Sequence, residues 1–197
     1  MVIAEKQLNF YFDFLCPYSY IAWHILDQFA QEQELPPMDF LGIGFYPSDS
    51  PNLHNRHLWS RERWAQVKAH GAKVGIEIQA PSGPATLTFL PQRALGNYTG
   101  SGLREYISGI FRGRFVHDID LTSTSAINGF LQLEGIDPIP FQRAVNDPNT
   151  LKLAQERNYY WGSRRIRLIP TLEIIDERYS GLFDRRGLEN FLSLFLS

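Results

Sequence analysis

Cys16 is the only cysteine in the chain. It stands in Asp13-Phe14-Leu15-Cys16-Pro17-Tyr18-Ser19, between an alternating apolar run and a helical pattern. A sulfur at a helix start meets backbone N–H groups that lack intrahelical partners, and the positive end of the helix dipole. Both favour a thiolate, and cysteines so placed titrate below the free value of about 8.5. Pro17 suits the first turn, because its missing N–H would go unbonded there. Ser19 can turn its hydroxyl or its N–H toward the same place. A thiolate attacks a disulfide sulfur and forms a mixed disulfide. The alternative is a packing cysteine, since free Cys is among the most buried residue types. One cysteine excludes an intramolecular disulfide, a Cys-based zinc site and any redox cycle that needs two thiols in one chain.

Ile169-Pro170-Thr171 is the second candidate, because Pro170 opens an apolar strand where proline is usually excluded. A cis bond explains it, and so does a trans proline at the first strand residue. Asp13, three residues before Cys16, reads as a proton-transfer group or as a cap of the following turn. Asp184 reads as a helix N-cap or as a ligand for a substrate amino group. Tyr18 and Tyr20 either shape the mouth of the site or pack on the core. Arg164-Arg165-Ile166-Arg167 attracts an anion or is a solvated face. His54 and His57 have the spacing of two metal ligands but lack a third.

These groups need elements to hold them. Leu8, Phe10, Phe12 and Phe14 alternate with Asn9, Tyr11 and Asp13, which predicts a strand buried on both faces. A helix follows from about Tyr18 to Gln33, with Ile21, Ile25, Leu26 and Phe29 on its apolar face, stopped by Leu35-Pro36-Pro37. Met38 to Tyr46 reads as a second strand. Helical periodicity dominates from about Leu58 to Gly162. Pro170 to Ile175 and Glu177 to Leu182 form a hairpin, and Asp184 caps a last helix with Phe191, Leu192 and Phe195 inward. The order is β-α-β, a helical block, then β-β-α.

The 197 residues suit one compact domain or a small domain with an insertion. Apolar residues make up 44% and charged residues 20%. Lys and Arg number 19 against 21 Asp and Glu, so the net charge is −2. A nucleic-acid binder would carry a basic excess, and a membrane span needs roughly 18 consecutive apolar residues. Neither is present, so no nucleic-acid or membrane partner is expected. The first residues lack a basic stretch followed by an apolar one, which leads to the expectation of a cytoplasmic protein.

Phe12-Asp13-Phe14-Leu15-Cys16-Pro17-Tyr18-Ser19-Tyr20 resembles the active-site turn of the DsbA-like branch of the thioredoxin superfamily. That branch holds DsbA-type oxidoreductases, kappa-class glutathione transferases and 2-hydroxychromene-2-carboxylate isomerases. Ile169-Pro170-Thr171 resembles its cis-proline loop. Phe183-Asp184-Arg185 is similar to the Ser-Asp-Arg segment of the glutathione-using members, with Phe183 in place of Ser. The oxidoreductases carry Cys-x-x-Cys, whereas this chain has Ser19. The transferases and isomerases carry Ser where it has Cys16.

The resemblance implies an α/β thioredoxin fold with a helical domain inserted between the β-α-β and β-β-α halves. Residues 1–56 and 163–197 would form the thioredoxin-like domain, and 57–162 the insertion. Cys16 would be the nucleophile, assisted by Ser19, with Pro17, Tyr18, Ile169, Pro170 and Asp184 binding substrate. Ser19 cannot resolve a mixed disulfide, so an outside thiol must, and glutathione fits as co-substrate; no tightly bound cofactor is expected. The leading expectation is a monothiol, glutathione-coupled thiol–disulfide oxidoreductase. A glutathione transferase or isomerase, and a binding module without turnover, are the alternatives. Glutathione-using relatives are often homodimers.

Overall fold

A computed structural model describes residues 7–42, 60–82 and 89–195. His54 and His57 lie outside the described residues, as does the expected domain boundary at 56/57. Strand β1 (Leu8–Phe12) has every residue but Asn9 buried. Helix α1 (Pro17–Glu32) starts on proline and buries Ile21, Ile25, Leu26 and Phe29, as the periodicity predicts. Strand β2 (Met38–Gly42) returns parallel to β1, with Leu8 opposite Met38 and Phe12 opposite Gly42.

Among the described residues, six α-helices follow before the chain re-enters the sheet. They are α2 (Arg61–Lys73), α3 (Phe89–Arg93), α4 (Gly100–Phe115), α5 (Thr124–Leu133), α6 (Ile139–Asn146) and α7 (Pro148–Ser163). Ala94–Asn97 tightens into a 3-10 turn after α3. Strands β3 (Thr171–Ile174) and β4 (Glu177–Ser180) then form a hairpin, and α8 (Arg185–Ser193) closes the fold. The sheet order is β2-β1-β3-β4, with β3 antiparallel to both its neighbours. This is the α/β arrangement expected, with helices placed between the two halves of the sheet. No described helix is long and apolar enough to cross a membrane.

One core joins the sheet to the helices. Phe10 and Phe12 on β1 stack at 5.2 Å, and Phe12 and Phe14 both meet Phe111 of α4. Tyr20 is buried and stacks on Phe111 and Phe115, so it is the core member of the Tyr18/Tyr20 pair. Trp23 donates its indole N–H to Ser108 Oγ at 2.8 Å, and Arg104 pairs with Asp27, which further ties α4 to α1. In α8 the fully inward residues are Leu188 and Leu192; Phe191 and Phe195 are only half-buried against the core.

Candidate active site

Where β1 ends, the chain reverses in a short hydrogen-bonded turn. Asp13 is buried, and its Oδ1 accepts from the Leu15 N–H at 2.9 Å. This is the turn that Asp side chains form with their own backbone. The Asp13 carbonyl accepts from the Cys16 N–H at 2.9 Å, and the Cys16 carbonyl accepts from Tyr20 at 3.2 Å as α1 begins. Cys16 is the N-cap of α1, in extended conformation (φ −96°, ψ 110°). Asp13 thus shapes the turn that delivers Cys16. Ser19 is fully buried, and its Oγ accepts from the Asp13 N–H at 3.4 Å. The sequence allows either the hydroxyl or the N–H of Ser19 to face the sulfur; the hydroxyl oxygen braces the base of the turn, where the buried Asp13 amide lies within its reach.

The Cys16 side chain is only 7% exposed. It sits in a small apolar cluster with Tyr11, Ile166 and Ile169, flanked by Tyr18 and Leu41. Its Sγ makes no capping bond at the helix start and instead faces the Ile169 carbonyl oxygen at 4.0 Å. The Ile169–Pro170 peptide bond is cis. Hydrogen bonds fix the loop around it: the Thr171 hydroxyl donates to the Leu168 carbonyl at 2.7 Å, and the Gly181 N–H donates to the Pro170 carbonyl at 2.9 Å. Gly181 has φ +94°, a conformation that glycine adopts without steric cost. Cys16 and Tyr18 are therefore brought together with Ile169, which is far from them in sequence. Tyr18 also meets His70 of α2 edge-on, with ring centroids 6.3 Å apart.

Beside this cluster lies a charge network centred on one buried carboxylate. Glu173 is 1% exposed. Its carboxylate accepts from Arg164 at 2.8 Å, from Arg178 at 2.6 Å and from the Tyr11 hydroxyl at 3.2 Å. Burial alone would raise the Glu173 carboxyl, but the hydrogen bonds from Arg178 and Arg164 outweigh it and hold it below the ordinary range. Burial, reinforced by the adjacent carboxylate, pushes the Tyr11 phenol well above its usual value. Arg164 also pairs with Asp176, and its carbonyl accepts from Arg178 at 2.8 Å. Arg164 is thus half-buried and engaged by two carboxylates, while Arg165 and Arg167 are exposed.

Asp184 is exposed and caps α8, with Oδ1 accepting from the Gly187 N–H at 2.7 Å. Phe183 turns inward and packs on Phe10 and Tyr179, which gives the residue in place of the family's serine a core role. Arg185 pairs with Glu32 and Glu189. Among the described residues no group of three or more His, Cys, Asp or Glu is placed to hold a metal ion.

Reading the sequence alone missed Tyr11, Glu173 and Arg178. The available signal was a carboxylate inside the apolar strand Thr171-Leu172-Glu173-Ile174, since a buried charge needs partners.

An α/β chain with this sheet order, a cysteine at the start of α1 and a cis-proline opposite it has the architecture of the thioredoxin superfamily. The DSBA-like thioredoxin domain family matches residues 7–194, and the chain belongs to that family. Its fold is similar to that of a 2-hydroxychromene-2-carboxylate isomerase, with a TM-score of 0.79 at 18% identity over 95% of each chain. It is also similar to the cytosolic disulfide reductase DsbM from Pseudomonas aeruginosa with GSH, with a TM-score of 0.67 at 15% identity, covering 96% of this chain and 98% of that one. A reduced DsbA1 from Neisseria meningitidis matches with a TM-score of 0.64 at 14% identity, covering 98% of this chain and 85% of that one. No curated protein sequence matches the chain.

Proposed function

We propose that the protein is a monothiol thiol–disulfide oxidoreductase that uses Cys16 as nucleophile and glutathione as the resolving thiol. The observation that carries this is the placement of the lone cysteine at the N-cap of α1, facing the Ile169 carbonyl beside a cis-proline. Cys16 thiolate attacks the glutathione sulfur of a mixed disulfide R–S–SG. A Cys16–SG bond forms, and RS⁻ leaves and takes a proton. A second glutathione thiolate then attacks the bound sulfur, releasing oxidised glutathione and restoring Cys16. The sum is R–S–SG + GSH → RSH + GSSG: one free glutathione thiol is consumed, one disulfide is exchanged for another, the R sulfur leaves as a thiol, and no second protein cysteine is needed.

The helix start supplies the field that favours the thiolate. Once the S–H proton is lost, the contact with the Ile169 carbonyl is no longer attractive, and the sulfur turns toward the helix-start amides. The backbone at Ile169, just before β3, then offers strand-like hydrogen bonds to an extended peptide such as glutathione. Tyr18 stands at the mouth. Asp184, one exposed carboxylate on the loop that follows β4, is the group for the substrate's ammonium. A reducing cytoplasm suits an enzyme that depends on free glutathione.

The deciding experiment reads Cys16 alkylation against pH by intact mass, with a parallel incubation in oxidised glutathione. The expected result is a midpoint well below about 8.5 and one glutathione adduct reversed by free thiol. A midpoint at or above that value without an adduct would overturn the assignment. Consumption of an aromatic electrophile with glutathione, in the absence of an adduct, would assign the transferase or isomerase reaction instead.

A further inference from the structure

The loop from Arg164 to Pro170 is anchored at both ends to the β3–β4 hairpin. At its far end Pro170 accepts from Gly181 N–H, and Leu168 accepts from the Thr171 hydroxyl. At its near end the anchor is electrostatic. Arg164 reaches Glu173 on β3 and Asp176 in the hairpin turn, while Arg178 on β4 binds both Glu173 and the Arg164 carbonyl. Between the anchors lie Ile166 and Ile169, both in the buried cluster that holds Cys16. The same Glu173 carboxylate accepts from Tyr11, whose ring belongs to that cluster. One buried carboxylate therefore touches the central strand below Cys16, the loop above it, and the hairpin that carries the loop.

We propose that Glu173 is a positioning residue for substrate capture: through Arg164, Arg178 and Tyr11 it holds the Ile169 backbone in register with Cys16, so that an extended peptide thiol such as glutathione docks with its sulfur at Sγ. This rests on the thiol-transfer reading above. The network is self-neutralising, since Glu173 and Asp176 face Arg164 and Arg178. Its contribution is geometric rather than a net field at the sulfur.

Charge and geometry predict opposite signs. Glutathione carries net negative charge at neutral pH, so removal of a nearby carboxylate would tighten its binding if charge dominated. If position dominates, the same change weakens it. The test compares wild type with Glu173→Gln, which keeps shape and hydrogen-bonding capacity but discards the charge that holds both guanidinium groups. Arg178→Lys serves as a second, milder variant should the first fail to fold.

Three readouts are taken. The KM for glutathione should rise about tenfold, the ratio that corresponds to ~1.4 kcal/mol, with kcat much less affected. The rate of Cys16 alkylation by iodoacetamide, a small neutral reagent that does not use the loop, should be little changed. Amide hydrogen exchange at Gly181, bonded to Pro170, should accelerate by a larger factor than that of Tyr20, bonded to Cys16, which follows only the global loss of stability. General destabilisation alone would instead accelerate both amides by the same factor and overturn the proposal. An unchanged Gly181 amide in Glu173→Gln overturns the proposal, as does a lowered KM. If wild-type protein forms no glutathione adduct, the thiol-transfer reading fails, and the exchange measurement still decides whether Glu173 holds the loop.

Discussion

Cys16 Sγ and the Ile169 carbonyl oxygen stand 4.0 Å apart although 153 residues separate them in sequence. The turn after β1 places one, and the loop before β3 places the other; both strands are neighbours at the centre of the sheet. The proposed nucleophile and the proposed peptide-docking backbone thus share one scaffold. Cys16→Ala removes the sulfur and keeps the helix start. It should abolish thiol transfer and the glutathione adduct, at a cost in stability of about 1 kcal/mol for a small group lost from a packed cluster. Activity and adduct mass are the readouts, and retained turnover would remove Cys16 from the mechanism.

Ser19 occupies the place of a resolving cysteine, yet its oxygen braces the Asp13 amide. Ser19→Cys puts a second thiol three residues along the helix start, on the same face as Cys16. That variant should close an intramolecular disulfide under mild oxidation, visible as a loss of two hydrogens by mass, and should shed the dependence on external thiol for resolution. Sulfur is a poorer acceptor than oxygen for the Asp13 N–H, so the turn should loosen slightly and thermal stability fall. Mass spectrometry without and with reductant separates the outcomes; persistence of two free thiols would mean that the burial of position 19 keeps the sulfurs apart.

The Glu173 network has a pH signature. Glu173 titrates below its ordinary value in the folded protein because Arg178 and Arg164 favour its charged form over the penalty of burial. A carboxyl with a depressed folded pKa adds stability that is fully present above its unfolded pKa of about 4.3 and is lost as pH falls through the lower folded value. Glu173→Gln should therefore destabilise the protein at pH 7 and flatten the acid limb of the stability curve. Urea midpoints of both proteins between neutral and acid pH measure this. An acid limb identical to wild type would assign the acid sensitivity to other carboxylates.

The fold was legible because its signals are local. The alternation through Leu8 to Phe14, Pro17 at a helix start, the Leu35-Pro36-Pro37 stop and the Asp184 cap each follow from a few adjacent residues. The element order then assembled itself. The proposed nucleophile was legible too, being the only thiol. What escaped was set by tertiary pairing. Tyr11 reads as one more strand aromatic, Glu173 as one more acidic residue, and Arg164 as part of an exposed run, until the sheet brings β1 and β3 together. For Ser19 the sequence leaves open which group faces the sulfur, and the partner of its oxygen, the buried Asp13 amide, is set by the turn.

Phe111 tests whether the helices between the sheet halves are part of the site's foundation. It is fully buried on α4, and its ring lies 5.8 Å from Phe12, 5.1 Å from Phe14 and 5.4 Å from Tyr20. Phe14 belongs to the turn that delivers Cys16, and Tyr20 makes the first backbone bond back to Cys16. Phe111→Ala should cost about 3–5 kcal/mol, the range for a large aromatic lost from a packed core. The cavity opens directly beneath the turn, so Cys16 alkylation should also quicken as the half-closed cluster around it loosens. Phe111→Leu keeps most of the volume and should lose less than about 1.5 kcal/mol, with alkylation close to wild type. Urea unfolding and alkylation rates, measured on both variants, check the pair. A large loss of stability with unchanged Cys16 reactivity would show that the turn is held by β1 and α1 alone, and that α4 supports the core without supporting the nucleophile.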